Sequence, residues 1–595
     1  MIDSLDIATL AAAYRDGTAT PADTVALVLA RIARDAGNPI WISRVDDGAL
    51  SARAADLMAR GPAGQPLWGI PFAVKDNIDA AGLPTTAACE AFAYTPERSA
   101  TVVQRLLDAG AILVGKTNLD QFATGLVGTR SPWGAVRNAF DERYISGGSS
   151  SGSAVATARG HVSFALGTDT AGSGRVPAAF NNLVGLKPTL GAISTRGVVP
   201  ACRTLDCVSI FALTAADAAT VYDVAAALDA DDPYSRAVPP HLLPDLADLL
   251  VGVPRAAQHS FFGDGAASTA FADAVGRMES LGARIVEFDF APFRAAADLL
   301  YGGPWVAERY HAVRALMEAQ PEALHPVTRA VIAQAERYDA VDAFDALYRL
   351  QALKAAAGKV WAEANILLTP TAGTIWSLAD VEAEPVARNT DLGFYTNFVN
   401  LLDLAAVAVP TAFRGDGLPF GVTLVAPAGS DRALARLAGS LHVASGLTLG
   451  AGGWPIPAAG GPPGAASEGV VLAVCGAHMT GLPLNGRLTA RGARRIGPAL
   501  TAPRYRLYAL PGGPPARPGM VRAADGAAIE VELWRLDHAG LGAVLAEIPS
   551  PLGLGRVELA DGSMVTGFVC EAWATADARD ITAYGGWRAF LGAGR

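Results

Sequence analysis

Two turns rich in glycine and serine lie close together in this chain and bracket a short apolar segment. The first turn, residues 146–153, reads Ser-Gly-Gly-Ser-Ser-Ser-Gly-Ser, and the second, residues 167–175, reads Gly-Thr-Asp-Thr-Ala-Gly-Ser-Gly-Arg. Glycine lets the backbone approach a ligand closely, and serine hydroxyls can donate, accept or attack. The apolar residues 162–166 require burial, which excludes a flexible linker. The pattern predicts a site on a short helix-and-strand unit; two tight turns without chemistry are the alternative.

This stretch resembles the signature of the amidase signature family of serine hydrolases. The family's turns read Gly-Gly-Ser-Ser-Gly-Gly-Ser and Gly-Thr-Asp-Thr-Gly-Gly-Ser-Ile-Arg. Here Ser151 and Ala171 stand where the family has glycine, and Gly174 stands where it has isoleucine, but no reacting group is lost. The resemblance covers residues 1–448 and implies an α/β fold, in which a large mixed sheet is covered by helices.

An apolar stretch over residues 67–74 predicts a buried strand that ends at Lys75, with Asp76 after it. A buried ammonium is costly. In one interpretation the lysine snorkels to water or pairs with Asp76. In the other, desolvation lowers its pKa and makes it a general base. The resemblance implies the second, because the family carries its catalytic lysine in the same Lys-Asp-Asn context.

The resemblance also implies the roles of two serines. Ser173 in the second turn is the predicted nucleophile, and Ser149, which follows a cis peptide bond in the family, bridges it to Lys75. A serine hydroxyl needs a base to attack. No histidine lies near a plausible motif, and His161 is expected to be structural. The predicted oxyanion hole consists of consecutive backbone N–H groups, those of Thr170, Ala171, Gly172 and Ser173.

The predicted substrate contacts lie in residues 300–310. A Gly-Pro pair predicts a helix start there, with Tyr301 before the helix and Arg309 in its second turn. An ordinary amphipathic helix with a solvated Arg309 is the alternative. The run Gly-Pro-Trp-Val-Ala-Glu-Arg resembles the allophanate hydrolases within the family, in which the matching tyrosine and arginine contact the substrate. That resemblance implies a small anionic amide, since the planar arginine fork suits a carboxylate.

Arg130 lies in a predicted pocket loop over residues 125–134. It is expected to contact the ligand or to lie at the surface, and the sequence leaves both open. Residues 110–117 match the letters of a phosphate-binding loop, but a helix precedes the first glycine and an apolar strand separates the two. That motif needs a strand before the first glycine and a loop between the two. No metal-ligand spacing is present either, so we expect no cofactor and no metal.

Composition excludes some function classes. The 595 residues are 51% hydrophobic and 17% charged, with a formal net charge of -10 and no basic face, so nucleic-acid binding is not expected. No apolar run reaches the roughly 18 residues of a spanning helix, and the N-terminus lacks the pattern of a signal peptide. Five scattered cysteines favour a reducing compartment. We therefore expect a cytoplasmic protein without a membrane anchor.

A second domain is predicted after residue 448. Residues 449–468 are rich in proline, glycine and alanine and form the predicted linker, and residues 469–595 form the domain. The segment 474–485 resembles the C-terminal domain of allophanate hydrolases, which has a gamma-glutamyl cyclotransferase-like, barrel-like α+β fold. His478 matches the histidine implicated there in decarboxylation; it can bind a carboxylate or move a proton. A purely structural histidine is the alternative, and Glu532 and Glu571 are weaker candidates.

The resemblance as a whole implies hydrolysis of allophanate in urea degradation. Ammonia and N-carboxycarbamate are the first products, and N-carboxycarbamate then loses carbon dioxide. The enzymatic alternatives are a broad small-amide amidase and the glutamine-hydrolysing component of an amidotransferase; a non-catalytic assembly protein on an amidase scaffold is the alternative of a different class. The partners expected are a second copy of the chain, in a homodimer, and an enzyme that carboxylates urea.

Overall fold

The computed structural model describes residues 3–244, 246–457, 470–536, 538–560 and 562–593. It divides into two compact units, Met1–Pro463 and Gly464–Arg595. None of the helices within these ranges is both long enough and apolar enough to span a bilayer.

The first unit is built on a mixed sheet of 11 strands in the order β1-β3-β2-β4-β6-β5-β10-β11-β9-β7-β8. This confirms the predicted large mixed sheet. Its two longest strands, β10 and β11, are apolar and almost wholly buried, as expected for strands covered on both faces. The strands are β1 (Trp41–Arg44), β2 (Pro71–Lys75), β3 (Ile112–Thr117), β4 (Phe164–Asp169), β5 (Val184–Lys187), β6 (Cys207–Ala212), β7 (Leu250–Pro254), β8 (Arg284–Phe288), β9 (Ile366–Pro370), β10 (Leu404–Phe413) and β11 (Pro419–Pro427).

Helices cover this sheet. They are α1 (Ile7–Arg15), α2 (Pro21–Arg34), α3 (Asp47–Arg60), α4 (Thr101–Asp108), α5 (Ser151–Ala158), α6 (Val176–Phe180), α7 (Ala215–Ala225), α8 (Gly265–Ser280), α9 (Ala291–Gly302), α10 (Val306–Ala319), α11 (Pro326–Ile332), α12 (Ala340–Ala357), α13 (Leu378–Ala383), α14 (Ala387–Leu392), α15 (Phe398–Leu401) and α16 (Asp431–Ser445). Because α4 precedes Gly110, and Gly115 lies inside β3, the rejection of a phosphate-binding loop is confirmed.

The centre of the sheet brings the two predicted motifs together. Strands β2 and β4 are parallel neighbours, with Val74 opposite Leu166. Phe72 and Phe164 stack across the pair at 5.3 Å between ring centroids. The carboxyl ends of parallel neighbours lie at the same edge of a sheet, so Lys75 at the end of β2 lies beside the last residues of β4.

The second unit is rich in strands, as predicted. A five-stranded sheet has the order β13-β16-β12-β18-β17, and a three-stranded sheet has the order β15-β14-β19. The strands are β12 (Val470–Val474), β13 (Arg494–Leu500), β14 (Tyr505–Ala509), β15 (Pro518–Arg522), β16 (Glu530–Leu536), β17 (Leu552–Glu558), β18 (Met564–Cys570) and β19 (Arg579–Asp580). The helices are α17 (Asn485–Thr489), α18 (His538–Glu547) and α19 (Trp587–Ala593).

The predicted linker over residues 449–468 is described only at its beginning. Residues 458–468 lie outside the described residues. Leu449 is fully buried and forms a bridge with Trp454, and the Arg31 guanidinium lies over the Trp454 ring at 5.0 Å. The start of the predicted linker therefore packs on the first unit. The domain boundaries stay a prediction.

Candidate active site

Lys75 and Ser149 are in direct contact. The Lys75 Nζ donates to Ser149 Oγ over 2.7 Å and to Thr168 Oγ1 over 2.7 Å, and the lysine is fully buried. Burial lowers the pKa of Lys75 to about 7, although the charges of Asp120 and Asp206 oppose that shift. A lysine with this pKa is in part neutral at neutral pH, so its amine can accept a proton.

Asp76 does not pair with Lys75. Its carboxylate lies 3.4 Å from the ammonium of Lys116, another buried lysine, and accepts hydrogen bonds from Thr86. Among the described residues, no carboxylate forms an ion pair with Lys75. The interpretation of Lys75 as a partner of Asp76 is therefore wrong, because Asp76 pairs with Lys116.

The first glycine-serine turn is tied to the end of β4. The Gly148–Ser149 peptide bond is cis, as the resemblance implied. The Ser150 hydroxyl donates to the Thr168 carbonyl over 3.1 Å and accepts from the Thr168 N–H over 3.3 Å. These bonds hold Ser149 next to the strand end at which Lys75 and Thr168 meet.

The second turn is braced by a buried ion pair that the sequence reasoning missed. The Arg175 guanidinium donates to both oxygens of Asp169, over 2.9 and 3.0 Å, and both side chains are fully buried. The same carboxylate accepts the N–H groups of Gly172 and Gly174, over 2.9 and 3.0 Å. Ser173 lies between those two glycines, so Asp169 fixes the backbone on both sides of the predicted nucleophile.

Gly172 cannot carry a side chain here. Its φ is +139°, a value that L residues rarely adopt, and a Cβ atom would lie 2.4 Å from Thr396 Oγ1. Its N–H already donates to Asp169. We therefore remove Gly172 from the predicted oxyanion donors. The N–H groups of Thr170, Ala171 and Ser173 make no backbone hydrogen bond within the described residues.

Ser173 is almost fully buried, with 3% of its surface exposed. No hydrogen bond joins its hydroxyl to Ser149 in the part of the chain that the structure describes. The structure thus places the contact between Lys75 and Ser149, while the transfer of a proton from Ser173 to Ser149 stays a prediction.

Tyr301 and Arg309 lie together, in a different setting from the one predicted. Tyr301 belongs to the last turn of α9 rather than to a segment before a helix, and α10 begins only at Val306. The Arg309 Nη2 donates to the Tyr301 hydroxyl over 3.2 Å, and the guanidinium lies 5.0 Å from the centroid of that ring. Arg309 is 2% exposed, so the solvated alternative is wrong.

Arg309 lies within electrostatic reach of Lys75. Its positive charge is one of the causes that lower the pKa of Lys75. Its Nη1 donates to Thr124 Oγ1 over 3.1 Å, while its Nε is buried without an acceptor in the described residues. A buried cation that retains donor capacity is suited to an anionic ligand.

Arg130 is buried, so its predicted alternative at the surface is wrong. Its Nη1 donates to the Thr124 carbonyl over 2.8 Å and its Nη2 to the Pro385 carbonyl over 2.9 Å. The backbone N–H of Arg130 donates to Asp120 over 2.9 Å. Arg130 and Arg309 thus bind the backbone and the side chain of one residue, Thr124. A direct contact between Arg130 and substrate stays a prediction.

His478 lies in the second unit, half-buried, at a cavity of about 370 Å³. Its ring stacks on Phe568 at 4.9 Å between centroids. Burial and the charges of Arg487 and Arg491 lower the pKa of His478 to about 4. The weaker candidates do not line this cavity: Glu532 binds Thr480 and Arg588, and Glu571 binds Trp573.

His161 has the predicted structural role. Its Nε2 lies 2.9 Å from Asp35, and its ring stacks on Trp41. The residues that sequence reasoning missed, Thr168, Asp169 and Arg175, all lie in the second turn itself. The signal for two of them was available, since an acid and a base six positions apart in a buried turn must find partners.

Known proteins resemble the whole chain. The family described as Amidase matches residues 23–435, and that described as Allophanate hydrolase C-terminal domain matches residues 470–592. The urea amidolyase of Saccharomyces cerevisiae is 44% identical over 544 residues, which are 88% of this chain and 30% of that protein. The chain thus spans about a third of the length of that relative.

Two further matches differ in how much of this chain they cover. The structure of selenomethionine-substituted Kluyveromyces lactis allophanate hydrolase has a TM-score of 0.84 at 40% identity and covers 99% of both chains. A glutamyl-tRNA(Gln) amidotransferase component of Symbiobacterium thermophilum is 36% identical over 426 residues, which are 65% of this chain and 86% of that protein.

Proposed function

Because the chain belongs to the amidase family, we propose that it hydrolyses the terminal amide of allophanate, a urea that carries a carboxylate, and releases ammonia. The buried Arg309 beside the Tyr301 hydroxyl carries this proposal, because it supplies a cation within reach of Lys75. The resemblance to K. lactis allophanate hydrolase over 99% of both chains supports the same substrate.

The reaction begins with the neutral amine of Lys75. It takes the proton of Ser149, Ser149 takes that of Ser173, and the Ser173 oxygen attacks the amide carbonyl carbon. The N–H groups of Thr170 and Ala171, with that of Ser173 itself, stabilise the oxyanion. The relay then returns the proton to the departing nitrogen, which leaves as ammonia.

The second half of the reaction is hydrolysis of the acyl-enzyme. Water attacks the ester carbon on Ser173 and loses its proton to the same relay. The bond between that carbon and the Ser173 oxygen then breaks, and the relay returns a proton to Ser173. The product is N-carboxycarbamate, a small dianion with a carboxylate at each end. Since the substrate carries one negative charge, a single arginine in the first site is enough to recognise it.

The alternatives are less well supported. A broad small-amide amidase has no need of the buried Arg309. The amidotransferase component matches 65% of this chain, whereas K. lactis allophanate hydrolase matches 99% of it. A non-catalytic assembly protein would not need Lys75, Ser149 and Ser173 together.

The test compares ammonia release from allophanate, malonamate and acetamide. We expect the two anionic amides to be preferred. Arg309→Lys should lower the rate on allophanate by about 10- to 100-fold, since one charged hydrogen-bonded contact is worth that much, and should leave acetamide unaffected. Arg314→Ala is the matched control, because Arg314 lies on the same helix and pairs with Glu318 at the surface. A preference for acetamide would overturn the proposal.

For the second unit we propose decarboxylation of N-carboxycarbamate at the cavity that His478 lines. The match of residues 470–592 to the allophanate hydrolase C-terminal domain supports this assignment. His478→Gln should leave ammonia release from the first step intact and delay release of carbon dioxide. Unchanged timing of carbon dioxide release would leave His478 with a structural role only.

We also propose that the chain forms a homodimer through α12. Three large apolar side chains on one face of this helix are exposed: Val341 at 66%, Phe344 at 58% and Tyr348 at 69%. The helix carries Asp345 nearer its start and Lys354 nearer its end. Two copies packed antiparallel would bury the apolar face and bring each acid near a base of the other copy.

The remaining partner proposal concerns the supply of substrate. The urea amidolyase relative is about three times as long as this chain, so there the matched segment shares a polypeptide with other segments. We propose association with a urea-carboxylating enzyme in the cytoplasm, where the five free cysteines suit a reducing environment. Less free allophanate in a coupled reaction with the partner than with the separated enzymes would support it; equal amounts would not.

A further inference from the structure

The cavity of the second unit carries a net positive charge. The charged side chains that line it are Arg487, Arg491, Arg517 and Glu547. Three arginines and one glutamate leave two positive charges when His478 is neutral. Apolar side chains such as Val544 and Phe568 form the rest of the wall.

Two of the three arginines are compensated. Glu547 binds Arg487 over 3.4 Å and forms a closer contact with Arg491. The Arg491 Nη1 also donates to the Arg487 carbonyl over 2.7 Å. Glu547 therefore neutralises part of the positive charge of Arg487 and Arg491.

Arg517 is different. Its guanidinium makes no ion pair and no hydrogen bond within the described residues, and its Nε is enclosed by protein. It precedes β15 and lines the same cavity as His478. A half-enclosed guanidinium without an acceptor is costly, and a bound anion would satisfy it.

We propose that Arg517 is the residue that binds a carboxylate of a dianionic dicarboxylate in this cavity. The inference deepens the function proposed for the second unit and rests on it. The excess of two positive charges matches a dianion better than a monoanion such as allophanate. The stacked pair of His478 and Phe568 forms the adjoining wall.

The proposed contact with Arg517 gives the two carboxylates of the dianion different roles in the reaction. The bond between nitrogen and one carboxyl carbon breaks, its electron pair stays on nitrogen, and nitrogen takes one proton from solvent water. The products are carbon dioxide and carbamate, which keeps the other carboxylate. Arg517 holds the retained carboxylate, so that the carboxyl group that becomes uncharged carbon dioxide faces the apolar wall.

The test uses the full chain and malonate, in which a methylene replaces the nitrogen of N-carboxycarbamate. Malonate is titrated while the NMR signals of His478, assigned with His478→Gln, report binding in this cavity alone. We expect saturable shifts, and a loss of affinity of about tenfold or more in Arg517→Gln, since charge-assisted bonds are worth this much. Arg517→Lys should retain part of the affinity, because the charge remains and the fork is lost.

The matched control is Arg535→Gln. Arg535 lies on β16 in the same unit, also has an enclosed Nε without an acceptor, and does not line the cavity. It should bind malonate as the unchanged protein does. Equal malonate affinity in Arg517→Gln and the unchanged protein would overturn the inference, and so would acetate binding as tightly as malonate.

Different results would contradict the inference about Arg517 and the decarboxylation on which it rests. Loss of malonate binding in Arg517→Gln with normal ammonia release from allophanate supports the inference. Carbon dioxide release from N-carboxycarbamate that is no faster with the unchanged protein than without it contradicts the proposed decarboxylation whatever malonate does. If Arg517→Gln does not fold, Arg517→Lys decides: undiminished affinity in a folded Arg517→Lys variant counts against a bidentate arginine contact.

Discussion

Lys75 donates to the Ser149 hydroxyl over 2.7 Å, and it does so without a carboxylate partner among the described residues. That relationship separates it from Lys116, which is as deeply buried but lies 3.4 Å from Asp76. An ion pair favours the charged form of a lysine, and desolvation favours the neutral form. The lysine that contacts the serine is therefore the one suited to accept a proton.

The first prediction concerns pH. The pKa of Lys75 is lowered to about 7, and only the neutral amine accepts a proton, so activity is low below that pH and rises through it. We expect kcat/KM for allophanate to increase between about pH 6 and 8 and then to level off. A lysine with the ordinary pKa near 10.4 would instead make kcat/KM rise up to about pH 10. Initial rates of ammonia release give the profile.

Lys116→Met is the control for the pH profile. It should lower the stability of the fold, because Asp76 is left buried without its cation, yet keep the acid limb of the profile in place. A profile that is flat from about pH 6 to 8, with chemistry rate-limiting, would contradict Lys75 as the base.

The second prediction concerns the two serines. Ser173→Ala removes the nucleophile and Ser149→Ala breaks the bridge to Lys75. Each should lower amide hydrolysis by about 10⁴-fold or more in a folded protein, as expected when one member of a catalytic unit is lost. Steady-state ammonia release measures the loss, and mass spectrometry of the quenched enzyme looks for an acyl group.

Ser151→Gly is the matched control for the serines. Ser151 lies in the same turn, at a position where the family has glycine, and within the described residues its hydroxyl donates to the Asn118 carbonyl alone, over 3.3 Å. Its activity should stay within a few-fold of the unchanged protein. Substantial turnover by pure Ser173→Ala protein would overturn the assignment of the nucleophile.

The third prediction concerns the brace beneath Ser173. Arg175→Met leaves the Asp169 carboxylate buried without its cation, which should lower the free energy of unfolding by about 3–5 kcal/mol. Chemical denaturation measures the change. Arg314→Ala removes an exposed pair with Glu318 and should leave the free energy of unfolding nearly unchanged. Equal changes in the free energy of unfolding would show that the ion pair between Arg175 and Asp169 does not stabilise the turn.

The fourth prediction concerns the exposed face of α12. Tyr348→Glu places a charge on the apolar face and should convert a dimer to a monomer, as measured by light scattering during size-exclusion chromatography. Val443→Glu changes an exposed valine on α16 and should leave the mass unchanged. A monomeric unchanged protein would rule out the proposed interface.

Much of the first unit could be predicted from the chain alone. The buried strand before Lys75 and the strand within residues 110–117 were recognisable because their apolar residues are contiguous and bounded by breakers. The two turns were recognisable because glycine and serine cluster there for steric and chemical reasons that act locally.

Contacts between distant residues were not accessible in the same way. Arg309 has the local pattern of a residue on an amphipathic helix, and only its contacts with Ala123, Thr124 and Tyr301 in the folded chain show that it is enclosed. Gly172 was a reasonable oxyanion donor until the structure showed its N–H bound to Asp169. In each case more than one partner is possible for one donor, and the folded backbone decides which of them lies within reach.

The sequence by itself determined which chemical groups the chain could use: a lysine at the end of a buried strand and two serine-bearing turns. The tertiary structure alone decided which partner each group takes. In the folded chain Asp76 pairs with Lys116, and Lys75 is left desolvated and in contact with Ser149. The physical reason is that burial and charge pairing, which set a pKa, are properties of the assembled neighbourhood, whereas residue type and spacing are properties of the chain.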